Sequence, residues 1–390
     1  MPLRLALVRQ RYTAFGGAER FVAAALEALA REGVGLSLYT RSWPEAQAPF
    51  EILPPFEILR INPPYLGNVW RDFGFARALR RSLAKDRPTL VQSHERIAGC
   101  DLYRAGDGVH AVWLEERRRG LGLPGRLAIA LNPYHHYVLA AERRMFCHAA
   151  LRAVICNSRM VMDEIASRFP VPRERLHLVY NAVDCERFSP ALRERGRVLR
   201  ERLGWGGEHL VCLLLGSGYA RKGLEAALLA LAGLPQRYTL LVVGRDKNLP
   251  VWKRRAAALG LGDRVHFLGP VEDPGEAYGA SDLFLLPTIY DPCPNAGLEA
   301  MASGLPVVTS AKCGLAEILA EKGGGRVCEA RDVAALRAAV LAYAEPERRS
   351  REGAAARAAV LPLSAAAMSG QLLELYHHLL AEAGGRGQGV

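Results

Sequence analysis

Three features common in other protein classes are missing from this 390-residue chain: an export signal, an apolar run of membrane length, and closely paired cysteines. No apolar stretch approaches the ~20 residues a helix needs to cross a bilayer, which argues against an ordinary transmembrane span. The start, Met1-Pro-Leu-Arg-Leu-Ala-Leu-Val8, reads as a strand and runs directly into Arg9, Gln10 and Arg11. That is unlike the apolar core and small-residue cleavage site of a signal peptide, and a cytoplasmic protein is expected. The eight cysteines, at 100, 147, 156, 185, 212, 293, 313 and 328, include no Cys-x-x-Cys pair. Buried or incidental thiols are expected rather than disulfides or a zinc site. Acidic residues are in deficit, 40 against 51 Lys and Arg, for a net charge of +11. The excess points to an anionic partner, whether nucleic acid, a membrane face or a phosphorylated substrate, and composition does not choose among them.

Hydrophobic residues make up half of the chain, which excludes a largely disordered one. Its length exceeds one ordinary core and suggests two domains of about 150–200 residues. Short apolar runs alternate with helical periodicity from end to end: strands at 3–8, 35–40, 90–93, 102–105, 153–157 and 176–180, then at 209–215, 239–243, 265–268, 283–286 and 306–309. Repeated βα units make a doubly wound parallel sheet, and two such halves put a cleft between them. The polar, arginine-rich segment 185–205 reads as the linker, leaving domains at 1–184 and 206–364. Residues 365–383 form a last amphipathic helix with Leu372, Leu375, Tyr376 and Leu379 on one face.

Residues 287–314 carry the densest chemistry. Asp291 follows the strand 283–286, and Glu299, eight residues on, falls in a helix that begins near Asn295 and is ended by Gly304. Ligands of open α/β sheets bind at the carboxyl ends of strands and against helix N-termini, so phosphates and hydroxyls of a nucleotide fit here. The turn Gly216-Ser217-Gly-Tyr-Ala-Arg221-Lys222-Gly223 puts small residues and two cations between a strand and a helix, suited to a diphosphate or simply a solvated basic turn. Gly16-Gly17 after the first strand is either a turn or a close approach for an anion, and it is not Gly-x-Gly-x-x-Gly. Asp107, between Gly106 and Gly108 at a strand's carboxyl end, either faces a cleft or makes a local turn.

Residues 111–152 have a different texture. Arginines 117, 118, 119, 126, 143, 144 and 152 outnumber the acids Glu115, Glu116 and Glu142, and are interleaved with Trp113, Leu123, Leu127, Leu131, Tyr134 and Phe146. Such a mixture fits an interfacial segment on an anionic membrane, or a helical excursion packed on its own domain. A nucleic-acid partner is not expected, since no nucleic-acid motif accompanies the basic residues.

As a set, the motifs resemble the retaining glycosyltransferases of family 4, and within them the glucosyltransferases of the lipopolysaccharide core, over nearly the whole chain. The residues that carry the likeness are Phe15-Gly16-Gly17 with Glu19-Arg20, Gly106-Asp107, Tyr180-Asn181-Ala182-Val183-Asp184, Gly216-Ser217 with Arg221-Lys222-Gly223, Val265-His266-Phe267, and the acid-x7-acid stretch ending Leu298-Glu299-Ala300-Met301-Ala302-Ser303-Gly304. The resemblance implies the GT-B fold, two Rossmann-like α/β domains facing a central cleft, the first for the acceptor and the second for a nucleotide-sugar. It implies that Glu299 takes the ribose hydroxyls, that Arg221 and Lys222 hold the diphosphate, with Ser217 in the same turn, and that Gly16 and Gly17 approach from the other domain. Asn295, Ala296, Gly297 and Leu298 would offer N–H groups to the donor, and the backbone near Phe267 would receive the base. Asp107 would lie beside sugar and acceptor, and Asp291 would face the donor sugar where the family more often has glutamate.

The resemblance further implies hexose transfer from UDP-glucose or a similar donor to a lipid-linked acceptor such as lipopolysaccharide core, on the cytoplasmic face of the inner membrane, with 111–152 as the membrane contact and the last helix crossing back to the first domain. No Asp-x-Asp is present, so neither a metal nor any other cofactor is expected. A nucleotide-sugar epimerase of the same fold and a non-catalytic nucleotide-sugar sensor are the alternatives; turnover without acceptor marks the first, and tight donor binding without turnover the second.

Overall fold

The computed structural model describes residues 4–11, 35–42, 56–86 and 88–385. They fall into two compact units, one of residues 1–181 together with 365–390, the other of residues 182–364. The first holds strands β1 (Arg4–Val8), β2 (Gly35–Thr40), β3 (Phe56–Arg60), β4 (Leu90–Ser93), β5 (Leu102–Arg104), β6 (Ala153–Cys156) and β7 (Leu176–Leu178). They pair in parallel in the order β3-β2-β1-β4-β5-β6-β7. The second holds β8 (Leu210–Leu215), β9 (Tyr238–Val243), β10 (Val265–Gly269), β11 (Leu283–Leu286), β12 (Val307–Ser310) and β13 (Gly325–Cys328), also parallel, in the order β10-β9-β8-β11-β12-β13.

Both sheets are wound the same way. The chain builds outward from a central strand, then returns to that strand's other side, so the order reverses between β1 and β4 in one unit and between β8 and β11 in the other. Loops leaving the carboxyl ends of the two central neighbours diverge at that point and open a crevice, which is where such sheets bind ligands. The strands there are near-continuous apolar runs, Leu-Val-Cys-Leu-Leu-Leu in β8 and Leu-Phe-Leu-Leu in β11, because helices cover both faces of a parallel sheet. Leu210, Leu214, Leu224, Leu228, Leu240, Leu283 and Leu336 share one buried cluster in the second unit.

The segment 185–205 is not a linker. It lies wholly inside the second unit and carries the helix Leu192–Arg202, seated on the short helix Gly275–Ala280. Arg200 donates to the Ala280 carbonyl at 2.9 Å and to Asp282 at 3.1 Å, and Arg193 reaches Asp282 at 3.4 Å. Its arginines look like linker composition, yet several are bonded to a neighbouring element. The unit boundary falls at Asn181, ahead of the expected 184. The strand β13 was not anticipated, since Gly325–Cys328 is short and only partly buried.

The last helix, Ala365–Gly385, belongs to the first unit. Tyr376 donates its hydroxyl to Gln92 Oε1 at 2.6 Å, Arg152 donates to the Leu379 carbonyl, and Leu372, Leu375 and Leu379 are buried. Residues 111–152 form the helices His110–Arg119, Leu123–Ala130 and Pro133–Phe146. Val112, Leu114, Val138, Met145 and Phe146 enter the core, whereas Leu123, Leu127 and Leu131 are 80, 58 and 70% exposed. All eight cysteines are free thiols.

Candidate functional site

In the second unit the two loops at the crevice are pressed together by glycine. Gly223 has φ +80°, and a Cβ there would stand 1.9 Å from the Pro287 carbonyl oxygen. Only glycine combines that left-handed backbone with so close an approach. Across this contact the Arg221 carbonyl accepts from Ile289 N–H at 2.9 Å and from the Thr288 hydroxyl at 2.8 Å. The loop after β8 is thereby stitched to the loop after β11, which fixes where Arg221 and Lys222 point.

They point at Asp291. Lys222 Nζ lies 2.5 Å and Arg221 Nη1 3.1 Å from the same oxygen, Asp291 Oδ2, and Lys222 and Asp291 are both buried. The Asp291 backbone is held as well, its N–H donating to the Lys312 carbonyl and its own carbonyl accepting from Gly314 N–H, each at 2.9 Å. Burial pushes the Asp291 carboxyl up, but Lys222 and then Arg221 outweigh it and hold the group below the usual carboxylate range. A depressed folded value stabilises the protein fully above the unfolded pKa of about 3.9 and is lost as pH falls through the folded value. Asp291→Asn should therefore flatten the acid limb of the stability curve below about pH 4. At pH 7 it should cost about 3–5 kcal/mol, because Lys222 stays buried with its nearest counter-ion gone. Urea unfolding of both proteins at pH 7 and pH 3 measures this; a parallel loss on acidification would show that the ion pair does not anchor the loop.

Glu299 lies in the helix Asn295–Ala302 and is 4% exposed. Its Oε2 accepts from the Tyr278 hydroxyl at 2.8 Å, and that hydroxyl also lies 3.0 Å from the Ala296 carbonyl. Tyr278 sits on the helix Gly275–Ala280 and is itself buried against Phe188. It fixes the carboxylate's rotamer, and the sequence reading missed it because a tyrosine 21 positions away in another helix leaves no local pattern. At the start of the Glu299 helix, Gly297 and Leu298 donate their N–H groups to the Pro294 carbonyl at 3.0 and 3.3 Å. That removes these two from the expected set of anion donors; Asn295 and Ala296 occupy the first two helical positions. Gly297 has a packing role instead, since a Cβ there would meet Leu315 at 2.1 Å.

Around the other lip, Ser217 Oγ accepts from Arg245 N–H at 3.4 Å, tying the tips of β8 and β9. Phe267 lies on β10 with its ring 6.2 Å from that of Tyr219, whose hydroxyl donates to the Gly244 carbonyl at 2.8 Å. The pairing of β10 with β9 is irregular between Phe267 and Gly269, which turns the strand end out of the regular ladder there.

In the first unit Asp107 is exposed in a turn closed by Gly108 N–H to the Ala105 carbonyl, and Gly108 has φ +67°. Asp107 also lines a cavity of about 310 Å³ within the first unit, with Arg9, Asp72, Arg96, Tyr134 and Tyr137. Arg96 holds the turn from behind, donating to the Gly108 carbonyl and to Glu142, each at 3.0 Å. Nearby, His110 is pushed down to about 3 by burial, by Arg96 and by His135, so it is neutral at physiological pH and can share a proton without adding charge. Gly16 and Gly17 lie outside the described residues.

A buried lysine and a part-exposed arginine at a sheet switch point, a carboxylate fixed in a neighbouring helix and a polar cavity in the other unit suit phosphate, hydroxyl and polyol recognition respectively. Comparison with known proteins gives the family. Residues 15–187 match the family model described as Glycosyltransferase Family 4, and residues 209–345 the one described as Glycosyl transferases group 1. The chain is 26% identical to the lipopolysaccharide glucosyltransferase WaaG of Escherichia coli (strain K12) over 322 residues, 81% of this chain and 83% of that one. It superposes on the crystal structure of WaaG, a glycosyltransferase involved in lipopolysaccharide biosynthesis, with a TM-score of 0.78 at 24% identity, covering 93% of this chain and 98% of the other. Anabaena HepE, solved in complex with UDP and glucose, superposes with a TM-score of 0.70 at 18% identity over 96% of this chain and 99% of that one.

Proposed function

The chain belongs to the family 4 glycosyltransferases, and from that premise we propose that it transfers a hexose, with retention, from a UDP-sugar such as UDP-glucose to a lipid-linked glycan of the lipopolysaccharide-core type. The observation that carries the reading is the Lys222 and Arg221 pair, both bonded to one carboxylate oxygen of Asp291. Two cations and one anion leave an excess positive charge on a rigid loop at the switch point, ready for a diphosphate. Glu299 would take the ribose diol, with Tyr278 fixing its orientation.

When the C1–O bond to the nucleoside diphosphate breaks, negative charge grows on the leaving phosphate, where Lys222, Arg221 and the start of the Glu299 helix favour it. The acceptor oxygen bonds to C1 on the same face, and its proton passes to the departing phosphate. No protein nucleophile enters this scheme, and with Lys222 and Arg221 as the neutralising charges no metal is required. Asp107 would orient the acceptor hydroxyl from the first unit. The exposed Leu123, Leu127 and Leu131, beside Arg117, Arg118, Arg119 and Arg126, would hold the enzyme on the cytoplasmic face of the inner membrane.

A thermal-shift series with UDP-, GDP- and ADP-glucose tests the donor. A ligand present at 100 times its Kd adds about 2.7 kcal/mol to the folded state, so UDP-glucose should give the largest rise in Tm, unchanged by EDTA. Equal, negligible shifts with all three would refute the donor assignment. Conversion of UDP-glucose without any acceptor would instead identify an epimerase.

A further inference from the structure

On the helix Gly67–Asp86, Phe75 and Leu79 form the buried stripe, fully inaccessible to solvent. The opposite face reads Trp70, Phe73, Arg77, Arg80 and Arg81, exposed positions at helical spacing, with Tyr65 and Leu66 just ahead of the helix. Leu66 is 81% exposed, Trp70 58%, Phe73 47% and Tyr65 45%. A surface helix needs one apolar stripe to fold, and this one has its own in Phe75 and Leu79, so the outward Trp70 and Phe73 are surplus to folding, while Tyr65 takes the Arg41 guanidinium 4.7 Å from its ring centre. The rest of the exposed stripe is cationic, with Lys85 extending it.

The helix's two carboxylates are turned to other work. Asp72 accepts from the Tyr134 hydroxyl at 2.9 Å and from Gln10 at 3.3 Å, and Asp86 from the hydroxyls of Tyr39 at 2.8 Å and Ser82 at 3.1 Å. An aromatic end followed by a purely cationic end matches a partner that is apolar in depth and uniformly anionic at its surface. Aromatic rings settle at the headgroup level of a bilayer, while arginines pair with lipid phosphates.

We propose that the stripe from Tyr65 to Arg81 is a second membrane-docking element, one that seats the first unit on an anionic bilayer independently of residues 111–152. It neighbours the exposed leucine ridge without being part of it, because Tyr134, bonded to Asp72 and Arg71, stands three residues after Leu131. Arg71 and Asp72, between Trp70 and Phe73, line the same 310 Å³ cavity as Asp107. A bilayer seated on Trp70 and Phe73 therefore brings lipid headgroups to the rim of that cavity. The docking stands without the transferase reading; only the delivery of a lipid-borne acceptor to Asp107 rests on it.

Co-sedimentation of the full chain with phosphatidylcholine vesicles, with and without phosphatidylglycerol, tests the docking with no turnover needed. Wild type should sediment with the anionic vesicles. A variant with Leu66→Ser, Trp70→Ser and Phe73→Ser, and one with Arg77→Ala, Arg80→Ala and Arg81→Ala, should each lose about tenfold in partition at unchanged Tm. Quenching of tryptophan emission by brominated lipid should drop in Trp70→Phe. Wild-type partition in both triple variants, or unchanged quenching in Trp70→Phe, would overturn the proposal. So would loss confined to Arg117→Ala, Arg118→Ala and Arg119→Ala, which leaves 111–152 as the membrane contact. If the serine variant instead dissociates a dimer on gel filtration while keeping its vesicle binding, the patch is a contact between copies and the proposal falls.

Discussion

Glu299→Ala is expected to lower kcat/KM for the sugar donor by about 100- to 10,000-fold. A carboxylate that accepts both hydroxyls of a ribose makes two hydrogen bonds to a charged group, each contributing about 1.5–3 kcal/mol. The same bonds exist in the ground state, so most of the loss should appear in KM, and donor affinity by calorimetry should fall with it. Tyr278→Phe separates orientation from contact. It removes the 2.8 Å bond that fixes Glu299 but leaves the carboxylate in place, so about tenfold should be lost, again in KM. A Glu299→Ala enzyme with wild-type kcat/KM would remove this carboxylate from the donor site. Equal losses in the two variants would show that a freely rotating carboxylate binds no better than none.

Gly196→Ala is expected to lower the Tm of the second unit by about 5–10 °C, the opposite of what helix propensity alone gives. Glycine in the interior of a helix is about 1 kcal/mol worse than alanine, and on an open helix the change would stabilise. Here a Cβ at Gly196 would lie 2.0 Å from the Gly279 carbonyl carbon and 2.1 Å from the Ala280 nitrogen. The reciprocal Cβ at Gly279 would lie 1.8 Å from the Leu192 carbonyl oxygen. Backbone meets backbone, no rotamer can relieve the clash, and the two helices must part, at a cost of about 2–3 kcal/mol. Calorimetry on the full chain reads the outcome. A rise in Tm would mean that the helix Leu192–Arg202 does not sit on Gly275–Ala280.

The first position shows why the site was partly legible. Glu299 and Asp291 lie within a single loop and helix, and the Arg221-Lys222 turn within one strand-to-helix junction, so their residue types and spacing could be read along the chain. What each does there could not. Asp291, expected to face a sugar, is the buried counter-ion of a lysine 69 residues earlier. Gly297 and Leu298, expected to bind an anion, spend their N–H groups on Pro294. Asp107 sits in the turn that Gly108 permits, at the wall of a cavity in the first unit whose other lining residues come from elements far along the chain.

The sequence by itself determined the succession of buried strands and covering helices, and hence the doubly wound class, because the apolar runs of a parallel sheet and the periodicity of its helices are written in adjacent residues. It determined the chemical inventory of the site for the same reason. Tertiary structure decided which side of a boundary a segment belongs to: 185–205 has the composition of a linker and becomes part of the second unit through contacts with residues about 80 positions away. It also decided partners, with Lys222 set against Asp291 and Tyr278 against Glu299. Those pairings arise only when the sheet brings distant loops to one edge. Composition, which sums over neighbours along the chain, carries no record of neighbours across it.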